Sequence, residues 1–127
     1  MTRLVATGSV ISDQLAVYDP PNTFSRPAGL TIADFSLTVF ANNENLTWTL
    51  VDGTSVLNSA ISPGFIYLNE IATNPGFYSI RWYPDRIGFW NLTIPCTVNS
   101  VEYILEYDVV PNSFFANSNQ GLIASFY

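Results

Sequence analysis

The stretch GFYSIRWYPDRIGFWNLTI, residues 76–94, decides the fold class because its apolar side chains recur at every second position. A period of two places one set of side chains on one face of an extended strand and the other set on the opposite face. Two such runs are separated by a loop from Pro84 to Gly88, and proline has no donor with which to continue the first strand. The predicted core positions of the two strands are Tyr78, Ile80, Trp82, Trp90, Leu92 and Ile94.

The same alternation continues on both sides of this stretch, in residues 35–39, 46–50, 65–71 and 101–109. No window of helical length shows helical periodicity, so the sequence predicts an all-β protein. The last run is the clearest, because apolar residues occupy its odd positions. Its predicted outward face is acidic, is interrupted only by Ile104 and Val110, and carries Glu102, Glu106 and Asp108.

Turn-forming residues divide these runs. The pair Asp52-Gly53 tolerates the positive φ angles of a tight hairpin, so residues 54–57 are predicted to return along the preceding strand. Pro84 and Pro95 are predicted to end the strands that precede them. Short strands that recur every 8 to 12 residues or so are typical of a sandwich. We therefore predict an antiparallel β-sandwich of about seven strands.

The predicted sandwich covers residues 29–111 and has an extended arm at each end. The N-terminal arm, residues 1–28, contains possible edge strands at residues 3–11 and 14–18. The C-terminal arm, residues 112–127, is rich in Asn and Ser but ends in apolar residues. Apolar side chains at a terminus need cover, either from neighbouring subunits or from the chain's own sheet. We favour neighbouring subunits, with Phe114, Phe115, Leu122, Ile123, Phe126 and Tyr127 as the predicted partner-binding residues.

Four aromatic residues fall on the outward register of the predicted strands or at loop edges. Tyr83 and Phe89 are predicted to bind a partner, and Phe77 and Phe40 extend the same exposed aromatic patch. The alternative is a second core layer beneath the N-terminal arm. A register shift of one residue exchanges the two faces of a strand, so both interpretations stay open.

Charge is scarce in this chain. Charged residues make up 11% of the sequence, against about 25% in typical domains, and the net charge is −6. Four arginines and no lysine provide no basic stripe for phosphates, which argues against nucleic acid as a partner. A single cysteine, Cys96, cannot form a disulfide within the chain. The sequence shows neither a signal-peptide core nor a run of about 18 apolar residues, which predicts synthesis in the cytoplasm and no membrane partner.

The residue inventory also restricts catalysis. Without histidine and lysine, the Ser-His-Asp, Cys-His and Schiff-base arrangements cannot form, and neither can a zinc site that uses histidine. Glu106 and Asp108 lie two residues apart on one strand face, about 6.6 Å from each other, which leaves a carboxylate enzyme as an open alternative. We favour a solvated acidic face, and predict no catalytic residue, no cofactor and no metal.

The pattern Gly76, Tyr78, Pro84, Gly88 and Trp90 resembles the G-x-Y, Pro, G-x-aromatic signature of filamin-type immunoglobulin-like repeats, with Trp82 where a second tyrosine usually stands. The resemblance implies an immunoglobulin-like antiparallel β-sandwich. Ahead of this pattern, the segments Gly29-Leu30-Thr31 and Asp34-Phe35 are similar to those of small immunoglobulin-like proteins of tailed-phage virions. The closing Ser-Pro-Phe segment of filamin repeats is missing.

The resemblance to phage proteins implies a non-enzymatic virion structural protein, located in the virion and made in the host cytoplasm. The expected role is a capsid decoration or cement protein that binds neighbouring capsid subunits, in a homo-oligomer or a larger assembly. A tail or baseplate accessory protein is one alternative. A carbohydrate- or cell-surface-binding module is another, since outward aromatic rings stack on sugars.

Overall fold

The computed structural model describes residues 2–22 and 24–111, so the predicted C-terminal arm lies outside the described residues. Within these ranges the chain forms nine strands and two short 3-10 turns, at Ile32–Asp34 and Asn58–Ala60. Seven of the strands lie between residues 29 and 111, in agreement with the sequence. The strands are β1 (Thr2–Ala6), β2 (Ile11–Ala16), β3 (Thr38–Ala41), β4 (Glu44–Leu46), β5 (Thr49–Asp52), β6 (Phe65–Glu70), β7 (Phe77–Trp82), β8 (Gly88–Cys96) and β9 (Val101–Val110).

The strands form two sheets that pack face to face. One sheet has the order β1-β9-β8-β3-β4, and the other has the order β2-β7-β6-β5. The immunoglobulin fold places its strands B, E and D in one sheet and C, F and G in the other. Here β2, β7 and β6 take the places of B, E and D, while β3, β8 and β9 take those of C, F and G. The protein is therefore an immunoglobulin-like β-sandwich.

The core lies between the two sheets and is rich in aromatic rings. The Trp82 ring lies 4.9 Å from the Trp90 ring and 5.1 Å from the Tyr107 ring, so residues from β7, β8 and β9 meet at the centre. Burying a large apolar side chain contributes roughly 1.5–3 kcal/mol, so these inward faces are the main source of stability. All six core positions predicted from residues 76–94 are fully buried: Tyr78, Ile80, Trp82, Trp90, Leu92 and Ile94.

The N-terminal segment supplies one edge strand to each sheet. Strand β1 lies beside β9 in the five-stranded sheet, and β2 lies beside β7 in the four-stranded sheet. A network across these strands joins the sheets: Arg3 pairs with Asp13 at 3.2 Å, and the Tyr107 hydroxyl donates to Asp13 at 3.1 Å. The predicted strand bounds in this segment were wrong, because the chain crosses between the sheets at residues 7–10.

Two pairs of strands are parallel, a feature that the prediction of an antiparallel sandwich did not include, and the other strand pairs are antiparallel. Strand β1 pairs parallel with β9, and β5 pairs parallel with β6. Both pairs lie at the edge of a sheet. A parallel pair needs a connection of about a dozen residues or more, and residues 53–64 provide it between β5 and β6.

The predicted hairpin at Asp52-Gly53 was wrong, because residues 54–57 form a loop. The Asp52 carboxylate accepts hydrogen bonds from the Thr54 backbone N–H at 2.9 Å and from the Thr54 hydroxyl at 2.7 Å. These bonds hold a local turn, in which Ser55 has a φ of 63°. The side chain of Arg81 donates to the Gly53 carbonyl at 2.8 Å and keeps the loop against the four-stranded sheet.

Two further strand bounds differ from the prediction. The run 46–50 is divided between β4 in one sheet and β5 in the other, and Trp48 packs on the Trp90 ring at 5.1 Å where the chain crosses. The alternation survives the crossing because both sheets face the same core. Strand β8 continues through Pro95, whose carbonyl accepts a hydrogen bond from the Ser36 N–H at 3.0 Å.

Candidate binding face

The turn between β3 and β4 places an aromatic side chain on the solvent side of the five-stranded sheet. Asn42 and Asn43 have φ angles of 52° and 66°, the conformation that a two-residue hairpin with matching twist requires. Asparagine adopts positive φ more easily than other residues with side chains. The hairpin pairs Phe40 with Asn45 on β4, and Phe40 pairs with Asn91 on β8.

Asn42 fastens this turn to the start of β8. Its side-chain oxygen accepts a hydrogen bond from the Phe89 N–H at 3.0 Å, and its amide nitrogen donates to the Ile87 carbonyl at 3.1 Å. Gly88 has a φ of 123°, and a Cβ at that position would overlap the Asn42 amide. Because Gly88 has no side chain, the Asn42 amide fits against it. The contact between Asn42 and the start of β8 places Phe40 beside Phe89.

A shallow groove of about 350 Å³ lies between these two rings and is lined by Phe40, Asn43, Phe89 and Asn91. Phe40 is 37% exposed and Phe89 is 40% exposed. The side-chain oxygen of Asn91 accepts a hydrogen bond from the Thr93 hydroxyl at 2.7 Å, which orients the Asn91 amide. The groove combines two aromatic surfaces with two amides.

We call the solvent side of the five-stranded sheet the open face. Strand pairing sets Phe89 beside Asp108 on β9, and Asp108 beside Leu4 on β1. With strands roughly 4.8 Å apart, Leu4 on β1 and Phe40 on β3 lie about 14 Å apart across the sheet, and Asp108 lies between Leu4 and Phe89. Leu4 is 48% exposed and Ile104 is 54% exposed. The exposed apolar side chains of the open face are Leu4, Phe40, Phe89 and Ile104.

The predicted acidic residues lie on the same face, along β9. Glu102 and Asp108 are exposed, while Glu106 is half-buried and pairs with Asn91 on β8. The carboxylates therefore alternate along one strand, beside the apolar side chains, on an open sheet surface. The outward side of β9 therefore carries charge, with Glu102 and Asp108 facing solvent.

The outer side of the four-stranded sheet is different, because the loop of residues 53–64 lies across it. Arg81 donates to the Val56 carbonyl at 2.7 Å and to the Asn58 side chain at 3.0 Å. The Ser62 and Tyr67 hydroxyls lie 3.3 Å apart, and Ile61 is buried. The two outer faces of the sandwich thus differ. The loop covers the centre of one face, where Phe65 on β6 and Leu57 of the loop stay exposed, whereas the other exposes Leu4, Phe40, Phe89 and Ile104.

The structure separates the aromatic residues that the sequence grouped together. Phe89 and Phe40 are exposed on the open face. Tyr83 and Phe77 are half-buried: Phe77 begins β7 in the other sheet, and Tyr83 directly follows the end of that strand. The Arg26 guanidinium lies 5.4 Å from the centre of the Phe77 ring. Tyr83 and Phe89 therefore do not share a surface. The predicted arm residues Phe114, Phe115, Leu122, Ile123, Phe126 and Tyr127 lie outside the described residues.

Other members of the open face were not identified as site residues from the sequence. Leu4 lies on an edge strand whose register cannot be read from its own pattern. Ile104 could have been recognised as an exposed apolar residue, because it stands among polar residues on the predicted outward face of its strand. The turn could also have been recognised, since two consecutive asparagines between β-forming residues, here Asn42 and Asn43, favour a tight hairpin.

A second cavity lies at the end of the four-stranded sheet, and polar groups in its wall already bond to the chain's own backbone. Glu70, in its wall, accepts from the Gly29 N–H at 3.1 Å and from the Gly76 N–H at 3.0 Å. Asp52 also lines it, and the hydrogen bond from the Thr54 N–H lowers the pKa of the Asp52 carboxyl below its ordinary value. Among residues 2–22 and 24–111, no group of three or more His, Cys, Asp or Glu side chains is placed to bind a metal ion.

Within the described part of the chain, no helix is long and apolar enough to cross a membrane.

The class of protein defined by the strand order is the immunoglobulin-like β-sandwich. No family model and no curated protein matches the chain. Among solved structures, the crystal structure of the titin M3 domain matches with a TM-score of 0.39 and 14% sequence identity, over 85% of this chain and 86% of that domain. At this level the likeness carries no argument, and the fold assignment rests on the strand order.

Proposed function

We propose that this protein is a non-enzymatic binding module, and that its open face binds a protein partner. The observation that carries the proposal is the pair of exposed phenylalanines, Phe40 and Phe89, that line one groove on the open face. Single exposed apolar residues are common on protein surfaces, whereas neighbouring exposed aromatic rings are typical of interaction sites. Burial of the two phenylalanines would supply the aromatic centre that interfaces favour.

We further propose that the partner is a subunit of a tailed-phage particle, and that the chain is a capsid decoration protein. The support is the resemblance of the segments 29–31 and 34–35, placed ahead of the filamin-type pattern in residues 76–94, to small immunoglobulin-like virion proteins. The low content of charged residues adds to it, because charged residues are depleted at the centre of interfaces. A tail or baseplate position is the alternative within the same class.

The virion role is tested by mass spectrometry of particles purified from a lysate in which the chain is produced. A decoration protein would be present in many copies per particle, in a fixed ratio to the major capsid protein. A low copy number in a fixed ratio to tail proteins would move the proposal to the tail. Absence from purified particles would contradict the virion role.

The binding face is tested by returning purified chain to particles that lack it. The Phe89→Ser variant should bind at least about tenfold more weakly, since loss of a central aromatic anchor costs 1–2 kcal/mol or more. Phe65→Ser is the matched control: Phe65 is 39% exposed on β6, in the four-stranded sheet. Equal affinity of the two variants would contradict the open face as the binding surface.

The groove favours a second candidate function, the binding of carbohydrate. Aromatic rings can stack on sugar rings, and the Asn43 and Asn91 amides could bond to hydroxyl groups. This candidate predicts that neutral oligosaccharides perturb the NMR signals of Phe40, Phe89 and Asn91. It predicts no loss of affinity in high salt, because the ligand carries no charge.

A further inference from the structure

We infer that the open face selects a partner that presents lysine or arginine side chains around an apolar strip, and that it does not pair with the open face of a second copy. This inference rests on the proposed function, because it assigns a chemical class to the partner of the same face. Variants of Asp108 and Phe89 distinguish failure of this inference from failure of the proposed binding face.

Glu102 and Asp108, which we call the acidic row, lie on the same side of β9 as the exposed Ile104. Asp108 lies between Leu4 and Phe89 across the sheet, and Glu102 lies two residues from Ile104 on the same side of β9. Asp108 and Glu102 are both exposed. A partner that covers the apolar side chains must therefore approach these carboxylates closely. Binding removes water from this surface, which strengthens the interaction between the carboxylates and any charge that the partner carries opposite them.

The cations of this chain are committed elsewhere. Arg3 pairs with Asp13, and Arg86 pairs with Asp85 at 2.8 Å. Arg81 holds the loop of residues 53–64, and Arg26 donates to the Val17 carbonyl at 3.4 Å beside the Phe77 ring. The chain has four arginines, no lysine and a net charge of −6. In the described part of the chain, none of the four arginine side chains forms an ion pair with Asp108 or Glu102.

Charge complementarity then distinguishes between possible occupants. Two open faces packed together would bring two acidic rows into contact, and like charges across an interface oppose association. A nucleic acid carries the wrong sign as well. A protein surface with basic side chains on both sides of an apolar strip matches both the charge and the apolar side chains of this face. It would also associate faster through electrostatic steering.

The test uses the full chain and a synthetic peptide of alternating leucine and lysine with blocked ends. The peptide is titrated into isotopically labelled protein and followed by NMR, at about 50 and about 500 mM NaCl, a range over which exposed charges become strongly screened. We expect shifts in β3, β8 and β9 on the open face and weaker binding in high salt. A peptide of alternating leucine and glutamate should not bind.

A matched pair of variants isolates the acidic row. Asp108→Asn should weaken binding of the leucine–lysine peptide roughly two- to fivefold, the size of one exposed ion pair. Asp19→Asn removes the same charge from an exposed position outside the strands and should leave the affinity unchanged. Equal affinity of the two variants, binding of the glutamate peptide, or shifts confined to the four-stranded sheet would overturn the inference.

The same variants separate this inference from the proposed function when they are returned to depleted particles. If Asp108→Asn binds particles as tightly as the unmodified chain while Phe89→Ser does not, the face is correct and the basic partner is wrong. If Phe89→Ser also binds normally, the proposed binding face itself is wrong. Salt-independent binding of neutral oligosaccharides to the groove, or dimerisation abolished by Phe89→Ser, would replace the basic partner with a glycan or a second copy.

Discussion

The contact between Asn42 and Gly88 is the residue-scale feature that shapes the open face. It fixes the β3–β4 turn on β8 and so determines where Phe40 lies relative to Phe89. The sequence indicates a turn at Asn42 and a loop at Gly88, but it does not indicate that the two residues touch. The contact arises only when the two strands pair, because residues 42 and 88 are far apart in the chain.

Replacement of Gly88 should reveal this contact in the free energy of unfolding. In Gly88→Ala, the added methyl group meets the Asn42 amide, and displacing that amide breaks two hydrogen bonds worth about 1 kcal/mol each. The positive φ adds about 1–2 kcal/mol. We therefore expect a loss of about 3–4 kcal/mol in urea denaturation followed by tryptophan fluorescence.

Gly64→Ala provides the control for this substitution. Gly64 has a φ of 96°, but open space surrounds the position that its Cβ would take. The Gly64→Ala variant should lose only the free energy that a positive φ costs, about 1–2 kcal/mol. Equal losses for the two variants would mean that Asn42 does not restrict position 88.

Tyr107 should make the protein sensitive to alkaline pH. Burial, followed by the nearby Asp13 carboxylate, raises the pKa of Tyr107 well above its ordinary value. In the unfolded chain tyrosine ionises near pH 10, whereas the folded protein keeps the proton to higher pH. The unfolded state then binds fewer protons, so this contribution to stability is complete below about pH 10 and is lost as the pH rises further.

The Tyr107→Phe variant tests the alkaline effect. Below pH 9 it should be less stable by about 1 kcal/mol, because it lacks the hydrogen bond to Asp13. Between pH 10 and 11.5 its stability should fall less steeply than that of the unmodified protein, by up to about 1.4 kcal/mol per pH unit. Parallel curves for the two proteins would contradict the assigned role of Tyr107.

At the scale of elements, the strands were predictable and their pairing was only partly so. The alternation in residues 76–94 and 101–109 identified three strands and their inward faces, because burial on one side of a sheet imposes a period of two. The same rule misassigned residues 46–50 as one strand, since a chain that crosses between sheets keeps one side toward a common core. The Asp52-Gly53 pair suggested a hairpin, but Thr54 donates to the Asp52 carboxylate and the distant Arg81 donates to the Gly53 carbonyl, so the chain leaves the strand in a loop.

Arg81 is expected to control the loop of residues 53–64. The Arg81→Met variant keeps an unbranched apolar stem but loses the hydrogen bonds to Gly53, Val56 and Asn58. Backbone amides of residues 53–61 should exchange with deuterium at least about tenfold faster, since opening of a local segment sets their exchange rate. Amides of β8 and β9 should exchange as before.

Arg86→Met is the control for the loop. Arg86 forms ion pairs with Asp85 and Glu44 on the surface, and pairs of this kind contribute little to stability. Loop exchange in this variant should equal that of the unmodified protein. If Arg81→Met also leaves the loop amides unchanged, the loop is held by contacts other than those of Arg81.

At the scale of the whole molecule, the inequality of the two outer faces could not be predicted from the sequence. The acidic row on β9 was visible, and Phe40 and Phe89 were identified as outward-facing. Their union with Leu4 and Ile104 depends on the parallel pairing of β1 with β9 and on the β3–β8 register. Tyr83 was grouped with Phe89 because consecutive strands were read without knowing that they belong to different sheets. The predicted role of the arm, residues 112–127, stays a prediction.

The most direct test of the binding face is the reactivity of single cysteines before and after the chain binds its particle. Asn45→Cys lies beside Phe40 on the open face, and Gln14→Cys lies at an exposed position on β2 of the other sheet. The buried Cys96 is present in both variants and reacts slowly. Binding should slow the labelling of Asn45→Cys at least about tenfold at particle concentrations well above the Kd, and leave Gln14→Cys unchanged. Protection of Gln14→Cys without protection of Asn45→Cys would contradict the account.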